Sequence, residues 1–361
     1  MSRNPFRPAW AFAMPIAAAM LLGVTLVIPL GTALATACAA MLIGAVLAAV
    51  HHAEVVAHRV GEPFGTLILA IAITVIEVAL IFSVMLAGGE NNATLARDTI
   101  FAALMIICNG LVGCCLLAGG VKHHVQVFRI EGAHSAFAAL ITLATLSLVL
   151  PGFTLSAPGP YYTAAQLAFV AVASLVIWAV FVFVQTVRHR DYFLPVDAAP
   201  DEDAHAPLPS DAVAWTSFGL LLVALVAVVG LAKVLSPTIE RGVAAAGAPA
   251  STIGVAIAML VLLPETWAAI RAALANRLQT SMNLAFGSAL ASIGLTIPVV
   301  ALASVWLDIR LVLGVTPKDM VLLALTFMVG TITIVSGRTT VMQGTVHLVI
   351  FATFLILALI P

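Results

Sequence analysis

Long apolar runs alternate along almost the whole chain with short segments rich in glycine, proline or charge. Each run is near 20 residues or somewhat longer, the length that an α-helix needs to cross a hydrocarbon core about 30 Å thick. The pattern predicts an all-α polytopic membrane protein with about 11 transmembrane helices. The predicted spans are residues 10–30, 32–50, 64–88, 96–119, 134–152, 161–187, 212–235, 251–274, 281–306, 318–335 and 341–360.

Composition supports a membrane protein and excludes several other classes. Hydrophobic residues make up 63% of the chain and charged residues 9%, against about 25% charged residues in soluble domains. The net charge of −1 gives no electrostatic basis for a nucleic-acid partner. The four cysteines lie in apolar runs without a CxxC pair, which favours free thiols over a disulfide framework. The lipid bilayer is therefore the expected surrounding.

The distribution of basic residues predicts the orientation. With the N-terminus inside, the larger group of lysines and arginines is cytoplasmic, and only Arg97, Lys233, Arg241, Arg310 and Lys318 lie outside. The first apolar run continues into a second, so we expect a retained helix rather than a cleaved signal peptide. The sequence thus predicts a cytoplasmic N-terminus and an external C-terminus.

One hydrophilic segment, residues 188–211, divides the chain. Its acidic and proline-rich composition indicates a cytoplasmic linker. We expect a leading transmembrane helix in residues 1–31, a first five-helix repeat in 32–187 and a second in 212–361. An odd number of helices per repeat inverts the second repeat relative to the first. Inverted repeats with a site near the membrane midplane are typical of secondary transporters.

Two glutamates lie deep inside apolar runs. Glu77 is in GTLILAIAITVIEVALIFSVMLAGG, and Glu265 is in TIGVAIAMLVLLPETWAAIRAAL. A charge at that depth costs about 2.5–3.5 kcal/mol, so it indicates function. Each is in the second span of its repeat, and inversion would make them face each other. Two carboxylates suit Ca²⁺, but they cannot both stay ionised without a cation, so cations and protons should compete for them. The alternative is a pair of structural acids.

In the first repeat, two polar side chains accompany Glu77. Thr74 precedes it by three residues and offers a hydroxyl. Asn109 lies in the middle of the next span, and its amide oxygen could meet the cation. A buried amide needs partners in any case, so a purely structural role stays open for Asn109.

In the second repeat, the polar residues around Glu265 differ. Pro264 has no N–H, so the carbonyl of Leu260 loses its helical partner and becomes a candidate ligand. Ser288 and Ser292 share one face of the next helix at i and i+4. A kink without a ligand role and close packing of small residues are the alternatives for these positions.

These residues resemble the cation/Ca²⁺ exchanger superfamily and, within it, the bacterial Cha-type calcium (sodium, potassium)/proton antiporters. The likeness covers essentially the whole chain and is most specific in AHRVGEPFGTLILAIAITVIEVAL, RDTIFAALMIICNGLVGCCLLAGG and LLPETWAAIRAALANRLQTSMNLAFGSALASIGLTIPVV. The resemblance implies that Glu77 and Glu265 are the essential acids of two α-repeats. Gly287-Ser288 matches the family's Gly-Ser element, and Asn109 matches its Asn.

The chain also departs from that pattern. The wider family often has Gly-Asn ahead of each acid, where this chain has Ile73-Thr74 and Val261-Leu262. Fewer side-chain oxygens leave Na⁺ and K⁺ open as substrates beside Ca²⁺.

The predicted function is a secondary antiporter of the bacterial inner membrane that exchanges Ca²⁺, or Na⁺ or K⁺, for H⁺. It is not an enzyme, it needs no cofactor, and its partners are inorganic cations and protons. A cation channel and an intramembrane hydrolase with Ser288 or Ser292 and His347 are the alternatives. His51, His52, Glu54 and His58 read as an interfacial helix end, with a metal or pH-sensing site as the alternative. The oligomeric state stays open.

Overall fold

Helices dominate the part of the chain that the computed structural model describes, which is residues 8–61, 71–72, 74–82, 92–194, 208–249, 251–307 and 311–360. Within these residues we label eleven helices in chain order. The first four are α1 Ala9–Thr25, α2 Thr32–Val60, α3 residues 71–72 and 74–82, and α4 Asn92–His123. The next three are α5 Ile130–Phe153, α6 Ala164–Arg188 and α7 Asp211–Ala245. The last four are α8 Ser251–Leu274, α9 Leu278–Leu307, α10 Pro317–Val335 and α11 Val341–Leu359.

The all-α membrane architecture is confirmed. Each predicted span overlaps one of these helices, and nine helices in the described residues are long and apolar enough to cross a membrane. The remaining two helices are α1, which is shorter, and α3, which is only partly described. The predicted number of about 11 membrane crossings therefore stays a prediction. Outward-facing apolar side chains, such as Phe169, Val172 and Val180 of α6, are exposed as a lipid-facing surface requires.

Two helices extend well past the predicted spans, α2 as far as Val60 and α7 as far as Ala245. The apolar length of a run shows where it leaves the membrane, whereas packing and capping decide where the helix ends. Arg59 donates from Nε to Asp211 Oδ1 at 2.8 Å, which ties the end of α2 to the start of α7. Gly61 ends α2 with a positive φ of 78°.

The chain forms two compact units, each described here by itself. The first comprises Met1–Gly89 and Pro200–Ala246. Within it α1, α2 and α7 pack against one another. Small side chains allow this close packing, because a methyl group on Gly44 would lie 2.9 Å from the sulfur of Met14. Buried alanines such as Ala45 and Ala49 line α2.

The second unit comprises Glu90–Ala199 and Gly247–Pro361 and is built around α4. Nearly all of the apolar residues of α4 are buried, and α4 packs against α8 and α11. Its middle turn, Ile106–Leu111, is π-helical, which marks a local change of register. A methyl group on Gly113 would lie 3.1 Å from Cβ of His347, so α4 and α11 approach very closely.

Packing inside the second unit follows the predicted repeats. The third helix of the first repeat, α4, packs against the fifth helix of the second, α11. The third helix of the second repeat, α9, packs against the fifth helix of the first, α6. The two fourth helices, α5 and α10, also pack together. This reciprocal arrangement is what a duplication would produce, and the inverted repeats themselves stay a prediction.

Polar contacts fasten one end of α8. Lys122 Nζ donates to the carbonyl of Leu274 at 2.9 Å, and Gln126 Nε2 donates to that of Ala273 at 2.8 Å. Asn276 adopts a positive φ of 61° just beyond the helix, a backbone conformation that asparagine tolerates. Gln126 also begins the two-residue strand β1, Gln126–Val127, which pairs antiparallel with β2, Arg338–Thr339.

The predicted linker is described only at its edges. Arg190–Phe193 forms a 3₁₀ turn, and Asp211 begins α7. Asn283 Nδ2 donates to the carbonyl of Phe193, which holds this edge against α9. Residues 195–207, which carry most of the acidic side chains of the linker, lie outside the described residues, as does Ile73.

Candidate functional site

Glu265 lies in the middle of α8 and is 3% exposed. The start of α9 follows α8 closely in sequence, and the two helices pack against each other. This packing brings Ser288 of α9 to Glu265, where its hydroxyl donates to Oε1 at 3.5 Å, a long hydrogen bond. Two of the sequence-predicted site residues are therefore in contact.

Ser292 follows Ser288 by one helical turn and is buried. Ser288 itself is only partly buried. The two serines share a face of α9, as the i, i+4 spacing predicts, but Ser288 is more exposed than Ser292.

Pro264 lies inside α8, and the helix continues through it to Leu274. Because proline has no N–H, the carbonyl of Leu260 has no helical donor four residues on. In the next turn, the hydroxyl of Thr266 donates to the carbonyl of Leu262 at 2.7 Å. The backbone beside Glu265 thus offers a carbonyl oxygen that an unbroken helix would use internally.

Asn109 lies in the π-helical turn of α4 and is fully buried. This turn packs against α8 and α9, the helices that carry Glu265 and Ser288. The amide itself contacts other helices: Nδ2 donates to Thr326 Oγ1 at 2.9 Å, and Oδ1 is 3.2 Å from Nδ1 of His347. Thr326 and His347 are thus the hydrogen-bond partners that a purely structural Asn109 would need. A role of Asn109 as a cation ligand stays a prediction.

Glu77 and Thr74 belong to the first unit. They lie three residues apart in the described part of α3, so they share one face of that helix. Both are buried, with Glu77 4% exposed. The membrane depth of this glutamate stays a prediction.

Two features of the second unit were not found by sequence reasoning. His347 had been considered only as the base of a hydrolase, and its contact with Asn109 spans 238 positions of sequence. Asp98, at the start of α4, is nearly buried and accepts from Arg97 Nε at 2.8 Å. The adjacent Arg97-Asp98 pair ahead of an apolar run is a signal that could have indicated this ion pair.

His51 and His52 lie inside α2, which continues to Val60, so they do not form its end, and an interfacial position for them stays a prediction. His52 is buried, and its Nε2 lies 2.9 Å from the carbonyl oxygen of Ala11, where it donates. The ring of His51 is 5.5 Å from that of Trp10. Among the described residues, no group of three or more His, Cys, Asp or Glu could hold a metal ion. A metal-binding or pH-sensing role for these histidines stays an untested alternative.

Comparison with known proteins identifies the family of the chain. The family model for "Sodium/calcium exchanger protein" matches residues 13–187 and 216–360. The chain is 48% identical over 362 residues to y4hA of Sinorhizobium fredii, which is named as an ionic transporter, covering 99% of this chain and 98% of that one. It is 36% identical to the sodium-potassium/proton antiporter ChaA of Escherichia coli K12, over 85% and 83% of the two chains.

The solved structures show the same fold. The structure of native YfkE superposes with a TM-score of 0.74, at 17% identity, over 97% of this chain and all of that one. The predicted resemblance to the cation/Ca²⁺ exchangers is thereby confirmed, as is the expectation of a membrane transporter rather than an enzyme. With a family model matched over most of its length, the chain belongs to the sodium/calcium exchanger family.

Proposed function

We propose that the protein is a secondary antiporter that exchanges Ca²⁺, or Na⁺ or K⁺, for H⁺ by alternating access. The observation that carries this proposal is the buried carboxylate of Glu265, which has a hydroxyl donor from Ser288 beside it in a member of an exchanger family. Glu77 is the counterpart in the first repeat and is equally buried. Both glutamates take part in the exchange.

The chemistry is a competition for carboxylate oxygens. An ionised glutamate binds a cation, whereas a protonated one does not, so binding on one side releases protons and proton uptake on the other side releases the cation. A buried carboxylate is costly without a cation or a proton bound to it. Each acid is therefore expected to carry either the cation or a proton throughout the transport cycle. Apparent cation affinity therefore rises with pH until the carboxylates are fully ionised.

The remaining oxygens decide which cation is bound. Ca²⁺ prefers roughly six to eight oxygen ligands, and the side chains proposed to contribute are Thr74, Asn109, Ser288 and Ser292. The carbonyl of Leu260, freed by Pro264, is a further oxygen in α8. One relative is named a sodium-potassium/proton antiporter and another a Ca²⁺/H⁺ antiporter, so monovalent and divalent substrates both enter the proposal. The cation is substrate, and no resident cofactor is required.

The placement in the membrane is part of the proposal. The basic residues favour a cytoplasmic N-terminus and an external C-terminus in the bacterial inner membrane. Under this orientation the bonds from Lys122 and Gln126 to the end of α8 lie on the cytoplasmic side.

The hydrolase alternative has less support. Its base would be His347, but both ring nitrogens face other partners, with Nδ1 3.2 Å from Asn109 Oδ1 and Nε2 3.1 Å from Thr333 Oγ1. The hydroxyl of Ser288 donates to Glu265 instead of to a histidine. A channel would use the same buried acids, and coupling to protons separates it from an antiporter.

The test is transport in proteoliposomes with an imposed proton gradient, with Ca²⁺, Na⁺ and K⁺ each offered alone. We expect uptake of at least one cation that stops when a protonophore dissipates the proton gradient. Apparent affinity should rise from about pH 6 to pH 9, a range that covers a buried carboxylate. Cation flux that persists without a proton gradient and shows no pH dependence would instead support a channel.

A further inference from the structure

A chain of hydrogen bonds crosses the interior of the second unit and joins three helices. It runs from Thr326 of α10 to Asn109 of α4, on to His347 of α11, and back to Thr333 of α10. These four side chains are between 0% and 3% exposed. A buried polar network whose hydrogen-bonding groups all have partners makes the surrounding core rigid.

The donor and the acceptor of each hydrogen bond in this chain can be assigned by starting from Thr326. The single hydroxyl proton of Thr326 is donated to the carbonyl of Leu322 at 2.7 Å. Thr326 Oγ1 must then accept from Asn109, which fixes Nδ2 on that side at 2.9 Å and leaves Oδ1 facing His347. Nδ1 of His347 therefore carries a proton and donates to Oδ1.

The far side of the ring completes the chain. With Nδ1 protonated, Nε2 of neutral His347 accepts from the hydroxyl of Thr333 at 3.1 Å. Rotating the amide of Asn109 by 180° would place its NH₂ against the Nδ1–H of His347 and its oxygen against the lone pairs of Thr326. At Thr326, the rotated amide could bond only if the hydroxyl gave up its bond to the carbonyl of Leu322. At His347, it would require the other tautomer, with the proton moved to Nε2 and the direction of the Thr333 bond reversed.

The packing around the ring leaves it little freedom. Gly113 of α4 lies against the Cβ of His347, where an added methyl group would be 3.1 Å away. A methyl group on Gly110, beside Asn109, would meet the ring of Phe351 at 3.2 Å. The two glycines let α11 approach the π-helical turn closely enough for the imidazole to reach the amide.

We propose that His347 is a positioning residue for cation selection, because it holds the amide of Asn109 with its oxygen end fixed. This inference rests on the proposed function, in which Asn109 supplies an oxygen. A cation ligand must present oxygen rather than NH₂, and the amide oxygen has a second lone pair beyond the one that His347 uses. Fixing the amide in advance removes the cost of ordering it when the cation binds.

The two ring nitrogens can be tested separately, because the amide nitrogen of asparagine falls near the place of Nδ1 and that of glutamine near the place of Nε2. H347N keeps a donor toward Asn109, and H347Q keeps only the contact with Thr333. We expect H347N to stay within about twofold of wild-type apparent cation affinity. H347Q should lose about fivefold, the effect of one hydrogen bond, and should discriminate less between Ca²⁺ and Na⁺.

T333V is the matched control, since it removes the Nε2 contact and leaves the one to Asn109. We expect it to keep wild-type affinity within about twofold.

If H347Q cannot be purified as a folded protein, T326V and T326S make the same comparison at the other end of the amide, with loss of affinity expected only for T326V. Wild-type affinity in H347Q or T326V, or an equal loss in H347N and H347Q, would overturn the inference. Absence of exchange by the wild-type protein would overturn the proposed function itself, and the inference with it.

Discussion

At the scale of single residues, the central feature is a carboxylate in an apolar helix with a hydroxyl donor beside it. Ser288 donates to Glu265 Oε1 at 3.5 Å. In the proposed function, protons and cations compete for this acid, so a neighbouring hydroxyl that helps to hold it is expected to affect cation binding. The hydroxyl is thus expected to act on affinity even if it does not bind the cation directly.

Ser288→Ala should weaken apparent cation affinity by about threefold to fivefold, the effect of one lost hydrogen bond to a charged group at this long distance. The loss should be greater at lower pH, where protons compete more strongly. The measurement is the cation concentration for half-maximal transport in proteoliposomes at two pH values.

Ser304→Ala is the matched control for this prediction. Ser304 lies in the same helix, is buried, and donates to the carbonyl of Ala301 at 2.9 Å within α9. We expect its affinity to match that of the wild-type protein. Equal effects of the two substitutions would show that the hydroxyl at position 288 has no special relation to Glu265.

At the scale of elements, α8 carries Glu265 and a proline in the preceding position. The structure keeps the helix continuous across Pro264, yet the carbonyl of Leu260 lacks a helical donor. Lys122 and Gln126 fasten the far end of α8. The missing hydrogen bond lets α8 change its local geometry near Glu265, while the contacts at its end keep the helix packed in place.

Pro264→Ala should therefore leave the thermal stability of the protein unchanged or raise it, because an interior proline costs a helix about 3 kcal/mol. Apparent cation affinity should nonetheless fall, since the restored N–H takes up the Leu260 carbonyl and straightens the helix around Glu265. Melting temperature and transport are measured on the same preparation.

Pro298→Ala is the control, because Pro298 lies inside the neighbouring helix α9. It should bring a similar change in stability with no loss of affinity. A Pro264→Ala protein that is equally stable and transports normally would mean that packing alone positions Glu265.

The helices themselves could be predicted from the sequence because an apolar run of about 20 residues has few alternatives to a membrane-spanning helix. The end of α2 could not, since Arg59 and Asp211 are 152 positions apart and hydropathy does not reveal their contact. The same reason hid the partners of Asn109. Local spacing placed Ser288 near Glu265 because only a short turn joins α8 and α9.

At the scale of the whole molecule, two compact units each draw helices from both predicted repeats. In the second unit, α4 packs on α11 and α9 packs on α6, which are corresponding pairs in the two repeats. Glu77 belongs to one unit and Glu265 to the other. Each acid is essential in the proposed function, because each carboxylate carries either cation or protons.

The most direct measurement is cation-driven proton movement in proteoliposomes of the wild-type protein, Glu77→Gln, Glu265→Gln and the control Glu131→Gln, whose side chain is exposed at the start of α5. Wild-type protein and the control should release protons when the cation is added. Each of the other two variants should insert and fold normally but show no exchange, because glutamine cannot alternate between a proton and a cation. Near-wild-type exchange by either variant would contradict the two-carboxylate account.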